Sequence, residues 1–214
     1  MKKIIYTVAL IFIVASFGFA GGKPEQAPPT PAATTTSSPP ASTGDAPKLT
    51  ELQQALADIG ITPFRDGVRS IDFTVETLAG EKRSLSSYQG KVVFLNFWAT
   101  WCPPCRAEMP SMQTLYSKMS GKEFEIVAVN VAENTDAIHS FMKSENTKFT
   151  FPILLDSKGT VAGTYSVRGI PTTYVVAKNG NMLGMVVGGK DWADPKVIET
   201  ITRLANGELT VAGR

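Results

Sequence analysis

Apolar and polar positions alternate differently in successive parts of the chain. Residues 4–20 form an unbroken apolar run without a charge, led by Lys2 and Lys3. As a helix this run would reach roughly 26 Å, a little short of a ~30 Å hydrocarbon core. The small-residue ending at Gly18 and Ala20 suits a secretory cleavage site, and the run's length suits a retained anchor. Both readings stand, and in both the lysines stay inside while the rest of the chain is exported. Residues 21–47 are mostly Pro, Ala, Ser and Thr, with almost no large apolar side chain. Such a stretch cannot bury enough surface to offset its ordering entropy, so it reads as a tether of up to roughly 80 Å at ~3.1 Å per residue.

Folded patterning begins near Lys48. Leu49, Leu52, Leu56 and Ile59 recur at helical spacing before Gly60, which predicts a helical lead-in over 48–70. Phe73, Val75 and Thr77 alternate and turn at Ala79-Gly80, a hairpin pattern. Residues 91–99, KVVFLNFWA, are continuously apolar, β-branched or aromatic apart from Lys91 and Asn96, as in a strand buried on both faces. The pattern then predicts a helix from Pro103 to about Met119, a second buried strand over FEIVAVNV, and a helix opened by Asn134 or Thr135. A short strand over FPILLD and a short, weak helix over SKGTVAGTYSV follow. Two strands flank Asn179-Gly180, a strong hairpin signal. A closing helix has Asp194 as its cap, Pro195 at its first position and Gly207 at its end. The order implies an α/β fold with parallel central strands, covering helices and added antiparallel strands, in other words a mixed central sheet flanked by helices with an N-terminal β-hairpin extension. The chain divides into a signal or anchor at 1–22, a Pro/Ser/Thr-rich linker at 23–47, the helical lead-in at 48–70, the main domain at 71–207 and a tail at 208–214.

Charge narrows the function classes. Lys and Arg number 21 against 19 Asp and Glu, and they are scattered, so nothing points to nucleic acid. The chain has two cysteines, Cys102 and Cys105, and one histidine, His139. Outside the cytoplasm a close pair of cysteines is a bridge or a redox centre. A structural bridge here closes a loop of about four residues and is worth roughly 2 kcal/mol, less than a long-range staple. A metal site would find only half a tetrahedral shell, with His139 on another helix. A C-x-x-C pair in a βαβ context favours redox exchange.

The pair's position supplies the chemistry. Cys102 ends the strand-to-helix turn, where free N–H groups and the helix dipole stabilise a thiolate. That makes it the attacking sulfur and a good leaving group. Cys105, one turn deeper, should be more buried and should resolve the mixed disulfide. Pro103 and Pro104 cost the first turn no hydrogen bond and stiffen the loop. Glu108 lies three residues after Cys105 on the same helix face and can accept its proton, the alternative being a solvated carboxylate near a helix start. Pro110 should kink the helix just beyond. Arg106 and His139 read as surface residues, Trp101 as an exposed contact and Trp98 as core.

The stretch LNFWATWCPPCRAEMP resembles the thioredoxin superfamily, and within it the exported TlpA/ResA-like thiol–disulfide oxidoreductases, over roughly residues 71–206. RGIPTTYVV is similar to the family's second motif. The resemblance implies a thioredoxin-like fold, Glu108 as the acid near the pair, and Pro171 as a cis-proline facing the disulfide. A cis bond would leave the backbone of Ile170 free for an extended substrate, whereas an ordinary trans proline would begin an edge strand. Trp101, Pro103, Pro104, Ile170 and Pro171 are then the substrate contacts. Thioredoxin has a buried Asp in the strand before its motif; Asn96 stands there in this chain and cannot act as a base.

The implied activity is reduction of disulfides in client proteins, for example in cytochrome c or copper-centre maturation. A membrane thiol transporter would be the electron donor, the site would lie in the periplasm or on an extracytoplasmic face, and neither cofactor nor metal would be needed. The other readings are a copper-handling thiol protein, a redox-silent docking domain and a peroxidase of the same superfamily.

Overall fold

The computed structural model describes residues 49–210. The expected apolar run and the tether lie outside the described residues. Among the described residues no helix is long and apolar enough to cross a membrane.

Helix α1 (Glu51–Asp58) opens with a capping box: the Gln53 N–H donates to the Thr50 hydroxyl, and the Thr50 N–H donates to the Gln53 side-chain Oε1. Strand β1 (Thr62–Arg69) follows, then the hairpin β2 (Thr74–Thr77) and β3 (Lys82–Ser84) and one 3-10 turn at Leu85–Tyr88. The central unit is β4 (Val92–Trp98), α2 (Pro103–Lys118) and β5 (Phe124–Val131). Then come α3 (Thr135–Ser144), β6 (Ile153–Asp156), α4 (Thr160–Thr164), β7 (Thr172–Val176), β8 (Asn181–Val187) and α5 (Pro195–Ala205).

The eight strands form one sheet in the order β1-β8-β7-β4-β5-β6-β2-β3. β4, β5 and β6 run parallel, while β7 and β8 on one side and β2 and β3 on the other are antiparallel additions. This is the mixed sheet flanked by helices that the element order implies, with the β2–β3 hairpin at one edge. The lead-in expected to be helical over 48–70 is helical only over Glu51–Asp58. Residues 62–69 instead form β1, which pairs with β8 at the opposite edge. Pro63 is tolerated there because an edge strand does not need every N–H in the ladder, and the register shifts between Pro63 and Val68.

The sheet separates two cores, and the period-2 rule assigns β4 to both. Val92, Phe94 and Trp98 face one core with residues of α1, α2, α3 and α5; Val93, Leu95 and Phe97 face the other with Leu85, Tyr88, Val161, Tyr165 and Tyr174. Asn96 shares parity with Phe94 and Trp98, so the fold buries a polar side chain beneath α2. That helix runs from Pro103 to Lys118 with Pro110 exposed inside it.

Candidate active site

Cys102 is the N-cap residue of α2, and Pro103 and Pro104 occupy the first helical positions. Cys102 and Cys105 are joined in a disulfide. The Cys105 N–H points at the Cys102 sulfur, 3.3 Å away, so a free amide of the helix start already faces the atom that would carry the thiolate after reduction. Cys102 keeps 3% of its surface and Cys105 none, which is the expected order of depth. Trp101 beside them is 65% exposed, Pro103 and Pro104 are exposed, and Trp98 is fully buried.

The Ile170-Pro171 peptide is cis. The Ile170 carbonyl oxygen lies 3.6 Å from the Cys102 sulfur, and Pro171 is buried immediately before β7, a central strand. Two tyrosines flank this loop in sequence. The Tyr174 hydroxyl donates to the Tyr165 carbonyl at 2.8 Å, and the Tyr165 hydroxyl donates to the Ile71 carbonyl at 2.6 Å. Loss of hydration pushes the Tyr165 phenol up to about 12, so it remains a neutral donor at physiological pH.

Glu108 is not a solvated carboxylate at a helix start: it is 3% exposed. Its Oε1 accepts from Asn96 Nδ2 at 2.9 Å, and its Oε2 accepts from the Lys190 N–H and the Trp192 indole N–H, both at 3.1 Å. Asn96 Nδ2 also donates to the Thr173 hydroxyl at 2.9 Å, across the β4–β7 register that sets Asn96 opposite Thr173. Burial pushes the Glu108 carboxyl above its ordinary value, and the three hydrogen bonds pull against that rise. A buried carboxylate one turn from a buried sulfur is placed for proton exchange with it.

Thus Trp101, Cys102, Pro103, Pro104, Cys105 and Glu108 gather at the start of α2, with Ile170 and Pro171 against them. Two further residues belong here. Glu133 accepts from the Thr100 N–H at 2.7 Å, the Thr100 hydroxyl at 2.5 Å and Asn130 Nδ2 at 2.8 Å, holding the turn that leads into Cys102. Trp192 reaches Glu108 from the far end of the sequence. Arg106 lies on the surface, pairs with Glu145 and sits over the Phe141 ring, and His139 is exposed on α3.

Comparison with known proteins decides the family. Residues 67–184 match the AhpC/TSA family, and the thiol–disulfide oxidoreductase ResA of Bacillus subtilis is 41% identical over 129 residues, 60% of this chain and 71% of that protein. The chain belongs to the AhpC/TSA family as a ResA-like thiol–disulfide oxidoreductase. Solved structures share the thioredoxin-like fold of this ResA-like protein. StoA from Bacillus subtilis matches with a TM-score of 0.52 at 30% identity, covering 63% of this chain and 99% of StoA. A secreted Mycobacterium tuberculosis disulfide oxidoreductase homologous to Escherichia coli DsbE matches with a TM-score of 0.52 at 27% identity, covering 62% of this chain and 96% of that one. In this ResA-like oxidoreductase the chemistry is exchange between a dithiol and a disulfide, and its atoms balance with the two cysteines alone.

Proposed function

We propose that this oxidoreductase works outside the cytoplasm as a reductant of disulfides in client proteins, of which an apocytochrome c or a copper-centre protein is an example. A membrane thiol transporter restores its dithiol. Residues 4–20 either anchor it to the membrane or are removed on export. In this reading the Cys102 thiolate attacks one sulfur of the client disulfide and forms a mixed disulfide, and the other client sulfur leaves as a thiolate and takes up a proton. Cys105 gives its proton to Glu108 and attacks the Cys102 sulfur. The Cys102–Cys105 bond forms, and the second client sulfur leaves with the electron pair of the broken bond. The client gains two electrons and the protein loses two. Trp101, Pro103, Pro104, Ile170 and Pro171 form the surface against which the client backbone lies.

The observation that carries this reading is the Cys102 sulfur, faced by the Cys105 amide and lying 3.6 Å from the Ile170 carbonyl, with Cys105 sealed beneath it. Supporting it are the relationship to ResA, the secreted relative and the exported character of the N-terminal sequence. A Cys105→Ser protein expressed in cells should accumulate a covalent adduct through Cys102, sensitive to dithiothreitol and identifiable by mass spectrometry. Failure to trap any disulfide substrate, in cells or with a model peptide, would reject the proposed order of attack.

A further inference from the structure

The donors on Glu108 come from a separate piece of chain. Residues 188–192 leave β8 and cross the first turns of α2 as a strap. The Gly188 N–H donates to the Pro171 carbonyl at 2.8 Å, tying the strap to the cis-proline loop. Gly189 passes so close to the helix start that a Cβ there would lie 3.1 Å from the Pro104 carbonyl oxygen. The Lys190 N–H donates to Glu108 Oε2. The Trp192 N–H donates to the Ser111 hydroxyl at 3.0 Å, and that hydroxyl donates to the Glu108 carbonyl at 2.7 Å. The Trp192 ring is fully buried, packed edge-on against Phe94 with centroids 5.0 Å apart, and this packing aims its N–H at Glu108 Oε2.

Among the described residues no charged side chain pairs with Glu108. The Lys190 ammonium lies 5.9 Å from the centre of the Trp192 ring, Asp191 accepts from the Ala193 N–H, and Arg106 pairs with Glu145. The neighbours that face the carboxylate are neutral donors: Asn96 from β4, and Trp192 with the Lys190 amide from the strap. The state of Glu108 is therefore set by burial working against these hydrogen bonds, with no ion pair among the described residues.

We propose that Trp192 is a positioning residue for the exchange reaction: its indole N–H, with the Lys190 amide, fixes Glu108 Oε2 and keeps the carboxylate ready to receive the Cys105 proton. The proposal rests on the proton role of Glu108 given above. The three hydrogen bonds favour the carboxylate and offset part of the effect of burial, because the neutral acid cannot accept from all three donors equally well. Removing the indole donor tips the balance toward the protonated form, in which Glu108 cannot take a proton at neutral pH.

The test uses the full chain and compares wild type, Trp192→Phe and Glu108→Gln. The Glu108 carboxyl carbon is titrated by NMR in the oxidised protein. Release of glutathione from the Cys102 mixed disulfide is followed across pH after mixing reduced protein with excess oxidised glutathione. Trp192→Phe should move the Glu108 midpoint to higher pH and slow release at neutral pH by about tenfold, with the rate recovering at higher pH. A Trp192→Phe protein with an unmoved midpoint and an unmoved rate profile, while Glu108→Gln is slow, overturns the positioning role alone. A Glu108→Gln protein that releases glutathione at the wild-type rate overturns the proton role, and the positioning role with it. Should Trp192→Phe not fold, the wild-type Trp192 indole N–H resonance decides: it should titrate with the Glu108 midpoint, and an indole signal that stays constant through that midpoint overturns the proposal.

Discussion

At Glu108, burial favours the neutral acid while Asn96, Lys190 and Trp192 favour the anion, and burial prevails. The raised carboxyl has a consequence for stability. Between its ordinary value of 4.5 and its folded value, the native state binds more protons than the unfolded chain. Glu108 therefore contributes most to stability below the ordinary value, and that contribution is lost as pH rises through the folded one. In urea titrations, wild type should lose stability relative to Glu108→Gln on passing from about pH 4 to neutrality. A constant difference across that range would contradict the assignment. Glu133 offers a second test. Glu133→Ala leaves the Thr100 and Asn130 donors without their acceptor and should cost about 1–3 kcal/mol in the same titrations. The cysteines and the prolines beside them were legible in the sequence because each expresses its geometry within a few neighbouring residues, whereas the cis bond before Pro171 was legible only through the resemblance of RGIPTTYVV to a family motif. Glu133 and Trp192 were not, because Thr100 lies 33 residues from Glu133 and Glu108 lies 84 from Trp192, and no local pattern couples them.

Among the elements, the buried strands β4 and β5, the capped helices α2 and α5 and the hairpin around Asn179-Gly180 follow from runs, caps and turn residues that act locally. β1 does not. Its sequence, TPFRDGVR, contains a proline, a glycine and three charges, and shows no alternation; only its pairing with β8 makes it a strand. Gly184 permits that pairing, because a Cβ there would fall 2.6 Å from the Thr62 carbonyl oxygen and 2.9 Å from Ile61 Cγ2. Gly184→Ala should therefore push β1 off the sheet edge, at a cost of about 1–3 kcal/mol. Hydrogen exchange should show lost protection on both sides of the β1–β8 pairing, while amides in β4 and β5 keep theirs. Unchanged protection in β1 would show that the edge can yield without opening.

At the scale of the molecule, the two cores among the described residues draw their buried side chains from positions 52–209, on both faces of one sheet. The surface ion pairs involve exposed side chains such as Arg83 with Glu81 and Arg203 with Glu51, which contribute little. A chain beginning at Lys48 should therefore unfold cooperatively, with a midpoint close to that of the full chain, and should still exchange with oxidised glutathione; a non-cooperative transition would mean that part of the core lies elsewhere. Client recognition should separate from this small-molecule chemistry. Trp101 is exposed beside the reactive sulfur, so Trp101→Ala should slow reduction of a protein disulfide several-fold while leaving the rate with oxidised glutathione nearly unchanged. The overall sheet could be anticipated because alternating strand and helix patterns allow few topologies, whereas the edge occupied by β1 depends on contacts between the two ends of the domain.

The strap carries one more consequence, which concerns chain order. Cys102 and Cys105 leave the ribosome well before Pro171, and residues 188–192 come later still. A growing chain thus holds both sulfurs while the groups that shelter and govern them have yet to be made. The complete site therefore assembles only once the final third of the chain has been made and has docked against α2.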